Sequence, residues 1–295
     1  MLFQKECPLT ASMLVFVCAV LFVSGCKFNA SSPADYDFSK PQEVLLGKVL
    51  NEISGISYYS ARDSALLAVS DSKERVFYID MKHVRLQDHT EKVVPSNSDM
   101  EDIVKLDSSI FLLISGGILK EVPVGAKDSF GVKTYKLELS GTNDFETVYH
   151  DPSVDALVLL CKSCEHEKGK GMRTAYRFNL ASRSFDTTAF FTISKDDVKA
   201  ALADAGAKFD PSAAAVHPLD KRLYILSSAG ELLVIADTRG KVVEAYRLNP
   251  DLFPQAEGIA FAPNGDMFIS NEGKHGTPTL LRFPYKRREK KEKKK

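Results

Sequence analysis

Short apolar runs recur along the chain at nearly even spacing, each entered through a turn. The runs are LLAVS ending at Ser70, FLLIS at Ser115, LVLLC at Cys161, LYILS at Ser227 and MFIS at Ser270. Turn signals precede several of them, among them Asp151-Pro152, His217-Pro218-Leu219-Asp220 and Pro263-Asn264-Gly265-Asp266. Ahead of each turn lies a start segment of similar form. Glu52-Ile53-Ser54-Gly55-Ile56 aligns with Asp99-Met100-Glu101-Asp102-Ile103, Asp144-Phe145-Glu146-Thr147-Val148, Asp210-Pro211-Ser212-Ala213-Ala214 and Gln255-Ala256-Glu257-Gly258-Ile259. A third strand follows each time (Val76–Asp80, Leu119–Val122, Thr174–Leu180, Glu231–Asp237, Thr279–Phe283). A fourth precedes the next start, as in Val132–Leu139, Phe185–Ile193 and Lys241–Leu248. Short strands with regular turn punctuation predict an all-β fold. Four strands per unit of about 40–45 residues is the pattern of a propeller blade.

Ser54, Glu101, Glu146, Ser212 and Glu257 stand 47, 45, 66 and 45 residues apart, which defines five blades. The long interval follows blade three and holds a helix-like insertion. Ser194 and the acidic Asp196-Asp197 resemble a helix start, Val198, Ala201, Leu202 and Ala205 follow at helical spacing, and Gly206 can end it. The last blade has three strands after Gln255, and a strand-like run, Glu43–Leu50, precedes the first start. The N-terminal strand is therefore expected to complete the last blade, which removes exposed sheet edges. The absence of Trp argues against WD40 repeats.

Glu52-Ile53-Ser54-Gly55-Ile56, Asp99-Met100-Glu101-Asp102-Ile103 and Gln255-Ala256-Glu257-Gly258-Ile259 resemble the SdiA-regulated (YjiK-like) family of bacterial propellers over about residues 42–284. The motifs are short, and gluconolactonase-like and phytase-like propellers share parts of them. The resemblance implies a five-bladed propeller and says little about activity.

The ends differ from this body. Lys5 precedes an eleven-residue apolar run, Met13–Val23, too short to span a bilayer but fitting the core of a secretory signal. Val23-Ser24-Gly25-Cys26 resembles a bacterial lipobox, which implies a signal peptide over 1–25, lipidation of Cys26 and several acyl chains as anchor. The alternative is an ordinary signal or a short uncleaved anchor. Residues 26–41 read as a lipid-attached flexible tether. The propeller is expected over 42–285, and the KRREKKEKKK tail, 286–295, as disordered. That tail either contacts anionic lipid or is simply solvated. The expected place is the cell envelope, on the inner or outer membrane, with the domain in the periplasm or at the cell surface.

Charge changes the picture once the ends are set aside. All 295 residues balance 39 basic against 39 acidic groups. The signal removes one of each, and the tail removes eight basic and two acidic, leaving a body of 30 basic and 36 acidic residues. An acidic body excludes general nucleic-acid binding on charge grounds.

The acidity gathers at the repeat starts, where the first strand of each blade lines a central channel. Side chains two apart on a strand share a face. Two columns are therefore expected at one channel mouth: Glu52, Asp99, Asp144, Asp210 and Gln255 outside, and Ser54, Glu101, Glu146, Ser212 and Glu257 inside. Asp71, Asn271 and Glu272, just past second strands, are candidates for the same mouth. Carboxylates packed this closely must take up protons or a cation. Ca²⁺ takes 6–8 oxygen ligands, so Glu101, Glu146 and Glu257, with Ser54 and Ser212, are the candidate metal ligands. The competing reading is that the outer Asp residues serve the turns entering each strand.

Other constellations are weaker. Cys161-Lys162-Ser163-Cys164 has metal or redox spacing without a second ligand pair, so a short-loop disulfide or an ordinary structural role is expected. The six His residues lack metal-binding spacing, and no G-x-S-x-G elbow, P-loop or dinucleotide fingerprint is present. Two functions remain. One is an anchored, calcium-binding propeller that recognises a small molecule, glycan or protein. The other is a metal-dependent hydrolase of lactonase, esterase or phytase type using the same carboxylates, with Glu101, Glu146 or Glu257 as base. No catalytic set is evident, and oligomeric state is not legible.

Overall fold

In the computed structural model, residues 32–60, 64–73, 75–83, 85–88, 98–126, 128–273 and 276–286 are described. The signal segment 1–25, Cys26, the first part of the tether and the tail from 287 lie outside them.

Continuous apolar runs form strands here because both faces of each sheet are covered. The middle strands Ala65–Ser70 and Leu223–Ser227 are buried at every position. Five separate apolar clusters account for this, one at each interface between adjacent blades. Leu67 and Val69 of the first blade, for instance, pack with Met100, Ile103 and Leu112 of the second.

After β1 (Gln42–Leu45), blade one comprises β2 (Ile53–Ser60), β3 (Ala65–Ser70), β4 (Phe77–Asp80) and β5 (Arg85–Asp88). Blade two is β6 (Met100–Leu106), β7 (Ser109–Ile114), β8 (Ile118–Pro123) and β9 (Lys133–Lys136). Blade three is β10 (Asn143–Asp151), β11 (Ala156–Cys164), β12 (Met172–Asn179), β13 (Ser184–Phe185) and β14 (Phe191–Ser194). Helix α1 (Lys195–Leu202) then leads to blade four, β15 (Ala213–Val216), β16 (Leu223–Ser227), β17 (Leu232–Ala236) and β18 (Val242–Arg247). Blade five is β19 (Ala256–Phe261), β20 (Met267–Asn271) and β21 (Thr279–Phe283). Its fourth strand is β1, antiparallel to β21 with Gln42 opposite Arg282 and Leu45 opposite Thr279. This is the five-bladed propeller that the repeat predicts.

Local departures have local causes. The expected strand 43–50 ends at Leu45, and a 3-10 turn over Lys48–Leu50 drives Leu50 into the core. The fourth strand of blade three splits into β13 and β14, both paired with β12. Asp186, at the break, accepts from Arg177 Nε at 2.7 Å. Ser194 caps α1 by accepting from the Asp197 amide, as its sequence suggests. The helix stops at the left-handed Ala203, three residues before Gly206. Residues 33–40, which composition assigns to a tether, dock on blades four and five: Tyr36 and Phe38 are buried in that core, and Tyr36 donates to the Gly265 carbonyl at 2.6 Å. Two aromatic side chains supply the apolar area that the Ser- and Asp-rich composition hides.

Candidate metal centre at the acidic channel mouth

The same irregularity occurs at the start of four blades. The register of β2 with β3 passes from Ile53–Ser70 to Gly55–Val69 and skips Ser54. Equivalent shifts skip Glu101, Glu146 and Glu257. Each is a β-bulge, which leaves one residue unpaired and re-aims its side chain. In blade four Ser212 takes the equivalent place, its amide donating to the Leu226 carbonyl just before β15 begins.

Glycine allows two of these strands to approach their neighbours. A Cβ at Gly55 would lie 2.5 Å from Asp102 Oδ1 and 2.7 Å from Asp102 Cα. One at Gly258 would meet the Ser270 hydroxyl and lie 3.1 Å from the Ile56 amide nitrogen. Asp102, beside Gly55, accepts from the amides of Ile103 at 2.8 Å and of Val148 at 2.9 Å, so it staples blade two to blade three.

The five bulge-position residues all line one cavity of about 270 Å³. Asp71, Asp99, Gln255 and Glu272 line it too. Asp144 brings its carboxylate within 4.8 Å of those of Glu101 and Glu146, making a three-carboxylate cluster. The other expected members do not line this cavity, although the charge of Glu52 still acts on Asp71. Glu52 is exposed outside the cavity, and its carbonyl accepts from Ser54 Oγ at 3.2 Å. Asp210 pairs with Arg173 and with Lys195, the latter at 3.2 Å, and lines an adjoining cavity of about 360 Å³ that shares Glu146, Lys162 and Glu257 with the first. Asn271 is buried, its amide donating to Leu252 O and Thr279 Oγ1. Asp99, Asp144 and Gln255 reach the mouth from positions just ahead of a bulge, whereas Asp210 belongs to blade four, whose first pairing shows no register shift.

Lys162 also lines the cavity, and its ammonium donates to Glu146 Oε1. It lies just past the apolar core of its second strand, the place that Asp71 and Asn271 hold in their blades. That equivalence was the available signal, masked by the flanking cysteines. Cys161 and Cys164 form a disulfide with Cα atoms 6.1 Å apart, so they offer no thiolate to a metal. Neighbouring Glu167 is engaged by Arg173 at 2.8 Å and by the Thr174 amide at 2.5 Å.

Electrostatics follow from the crowding. Burial, then the charges of Glu146, Asp99 and Asp144, push the Glu101 carboxyl up to about 9. Burial pushes Glu146 up to about 7 even though Lys162 opposes it. Glu257 also rises to about 7, through burial and then Glu272, against hydrogen bonds from Gln255 and Ser228. Asp71 and Asp144 rise as well, chiefly through burial. Burial acts to raise Asp210 too, but the Arg173 and Lys195 hydrogen bonds outweigh it and its carboxyl is lowered. The mouth thus carries proton affinity that a cation can replace.

The donor set fits a hard cation, since every side-chain ligand on offer is oxygen. Ser212 Oγ donates to the Ala256 carbonyl at 3.0 Å and accepts from the Ser228 amide at 3.2 Å, so little of it remains for an ion. The stronger set is Glu101, Asp144 and Glu146.

Residues 145–275, from β10 to just past β20, match the model of the SdiA-regulated family. No curated protein matches the chain. Among solved structures, a gluconolactonase-like protein is 13% identical, covering 88% of this chain and 99% of its own, with a TM-score of 0.52. A PQQ-bound aldose sugar dehydrogenase from Streptomyces coelicolor is 12% identical, covering 83% and 98%, with a TM-score of 0.47. A streptogramin B lyase is 10% identical, covering 82% and 69%, with a TM-score of 0.43. Likeness at this identity concerns the fold alone.

Proposed function

We propose that this propeller, whose residues 145–275 match the model of the SdiA-regulated family, is an envelope-anchored module that binds Ca²⁺ at its acidic mouth and recognises a ligand or partner there. The observation that carries the reading is the convergence of Glu101, Asp144 and Glu146 within 4.8 Å. Glu257 and Asp99 on the same cavity wall extend the oxygen set. An ion there would neutralise carboxylates that otherwise keep protons. Calorimetric titration with CaCl₂ at pH 8 tests it, with Mg²⁺ as comparison. Saturable binding lost in Glu101→Gln/Glu146→Gln supports the reading, and no heat or thermal stabilisation at millimolar Ca²⁺ sinks it.

The anchor rests on the Val23-Ser24-Gly25-Cys26 motif. Cys26→Ser should move the protein from the membrane fraction to the soluble fraction of fractionated cells. Retention in the membrane would reject lipidation at Cys26.

A hydrolase is the second reading, favoured by Glu146 within the cluster and Glu257 in the same cavity, whose carboxyls are both pushed up to about 7. A group near neutrality is suited to general base work. Turnover of a lactone, phosphate ester or aryl ester that needs Ca²⁺ and vanishes in Glu257→Gln would establish it.

A further inference from the structure

Two residues beyond the bulges, the first strands change character. Ile56, Ile103, Val148, Ala214 and Ile259 line a second cavity, of about 390 Å³, toward the other end of the same five strands. Four blades place a branched aliphatic side chain there. Blade four places the smaller Ala214, followed by Ala215, and Lys221 of the same blade also lines the cavity.

The rim is two-sided. Lys105, His150 and Lys221 come from blades two, three and four. Tyr58, Phe261 and Pro263 come from blades one and five. Asp155 lies 3.4 Å from His150 Nε2, and Lys105 Nζ lies 5.5 Å from the Tyr59 ring centroid. Asp102 is the one carboxylate among the lining residues, and backbone amides occupy both of its oxygens. A cation would meet lysines here, and a sugar would find an aliphatic floor with few polar partners.

We infer that this end of the propeller is a binding site for a small amphipathic monocarboxylate, its apolar body over the Ile and Ala floor and its carboxylate between Lys105 and Lys221. A body of six to ten carbons suits a cavity of this size. The site is independent of the acidic mouth and does not rest on calcium binding.

Octanoate is the probe, titrated into the purified protein by calorimetry in EDTA, with butyrate and octylamine as controls. The expected result is one saturable octanoate site with a Kd of about 1 mM or tighter. Added salt should weaken it, and the two controls should bind at least tenfold more weakly. Lys105→Met/Lys221→Met should cost at least tenfold with an unchanged melting temperature, since both changes are at the rim. Ala215→Leu, which adds bulk to the cavity lining, should abolish binding, and Glu101→Gln at the other mouth should leave it unchanged. The site is rejected by absence of saturable octanoate binding, by equal affinity for octylamine, or by indifference to the double lysine variant. Octanoate binding that needs Ca²⁺ or Glu101 would move it to the acidic mouth and overturn the assignment equally.

Discussion

Lys162 Nζ is hydrogen-bonded to Glu146 Oε1, so the one ammonium among the residues lining the acidic cavity is held on a carboxylate of the three-membered cluster. Burial acts to lower the lysine, and the Glu146 bond overrides it and raises it. An internal cation on Glu146 competes with any external one. Lys162→Met should therefore tighten Ca²⁺ binding at pH 8 by about tenfold, a coupling of ordinary size for neighbouring charges. Isothermal titration checks it, and weaker binding in the variant would show that Lys162 organises the mouth rather than competing for it.

The pH dependence has a definite sign. Glu101, Glu146 and Glu257 have folded-state values above those of free carboxyls. Between the unfolded value near 4.5 and the folded values of about 7 and 9, the folded state binds more protons than the unfolded one. Stability from these groups is greatest below that window and falls as pH rises through it. In EDTA the melting temperature should drop from pH 5 to pH 8.5, and Ca²⁺ should flatten the drop. Proton release on Ca²⁺ addition at pH 7, read from the buffer dependence of binding heat, is the companion measurement. A flat profile in EDTA would contradict the buried acidic mouth.

Close strand approach predicts intolerance at Gly55. A methyl there would press on Asp102 Cα at 2.7 Å, which is backbone and cannot step aside. Gly55→Ala should cost about 2 kcal/mol or more by urea unfolding, in the range for overpacking. Gly116→Ala, where nothing lies within 4 Å, is the control and should cost much less.

Asp102→Ala removes the acceptor of two amides, Ile103 and Val148. Leaving buried donors unpaired costs about 1–3 kcal/mol each. Chemical denaturation should show a loss of about 3 kcal/mol, with retained β-sheet circular dichroism.

The Cys161–Cys164 disulfide brackets Lys162. Its loop is short, so removing it should cost only roughly 2 kcal/mol on chain-entropy grounds. Cys161→Ser/Cys164→Ser should also free Lys162 from its place and bring Ca²⁺ affinity toward that of Lys162→Met. An affinity identical to the parent would separate the disulfide from the mouth.

The blade count, the place of α1, the cap at Ser194 and the acidic ring at the repeat starts are determined by the sequence by itself. Each is written in local pattern: a repeat spacing, an apolar run sealed on both faces, a hydroxyl three residues before an amide, a Glu at one repeated place. The tertiary structure decided what local pattern cannot hold. A bulge exists only against a partner strand, so the turning of Glu101, Glu146 and Glu257 into the mouth depends on pairing register. Lys162 becomes part of the mouth only because blade three sits beside the carboxylates of its neighbours. The docking of Tyr36 and Phe38 needs the groove between blades four and five. The contrast between an acidic and an apolar end arises only when five strands converge on one axis, since it is the sum of five side chains that are distant in the chain.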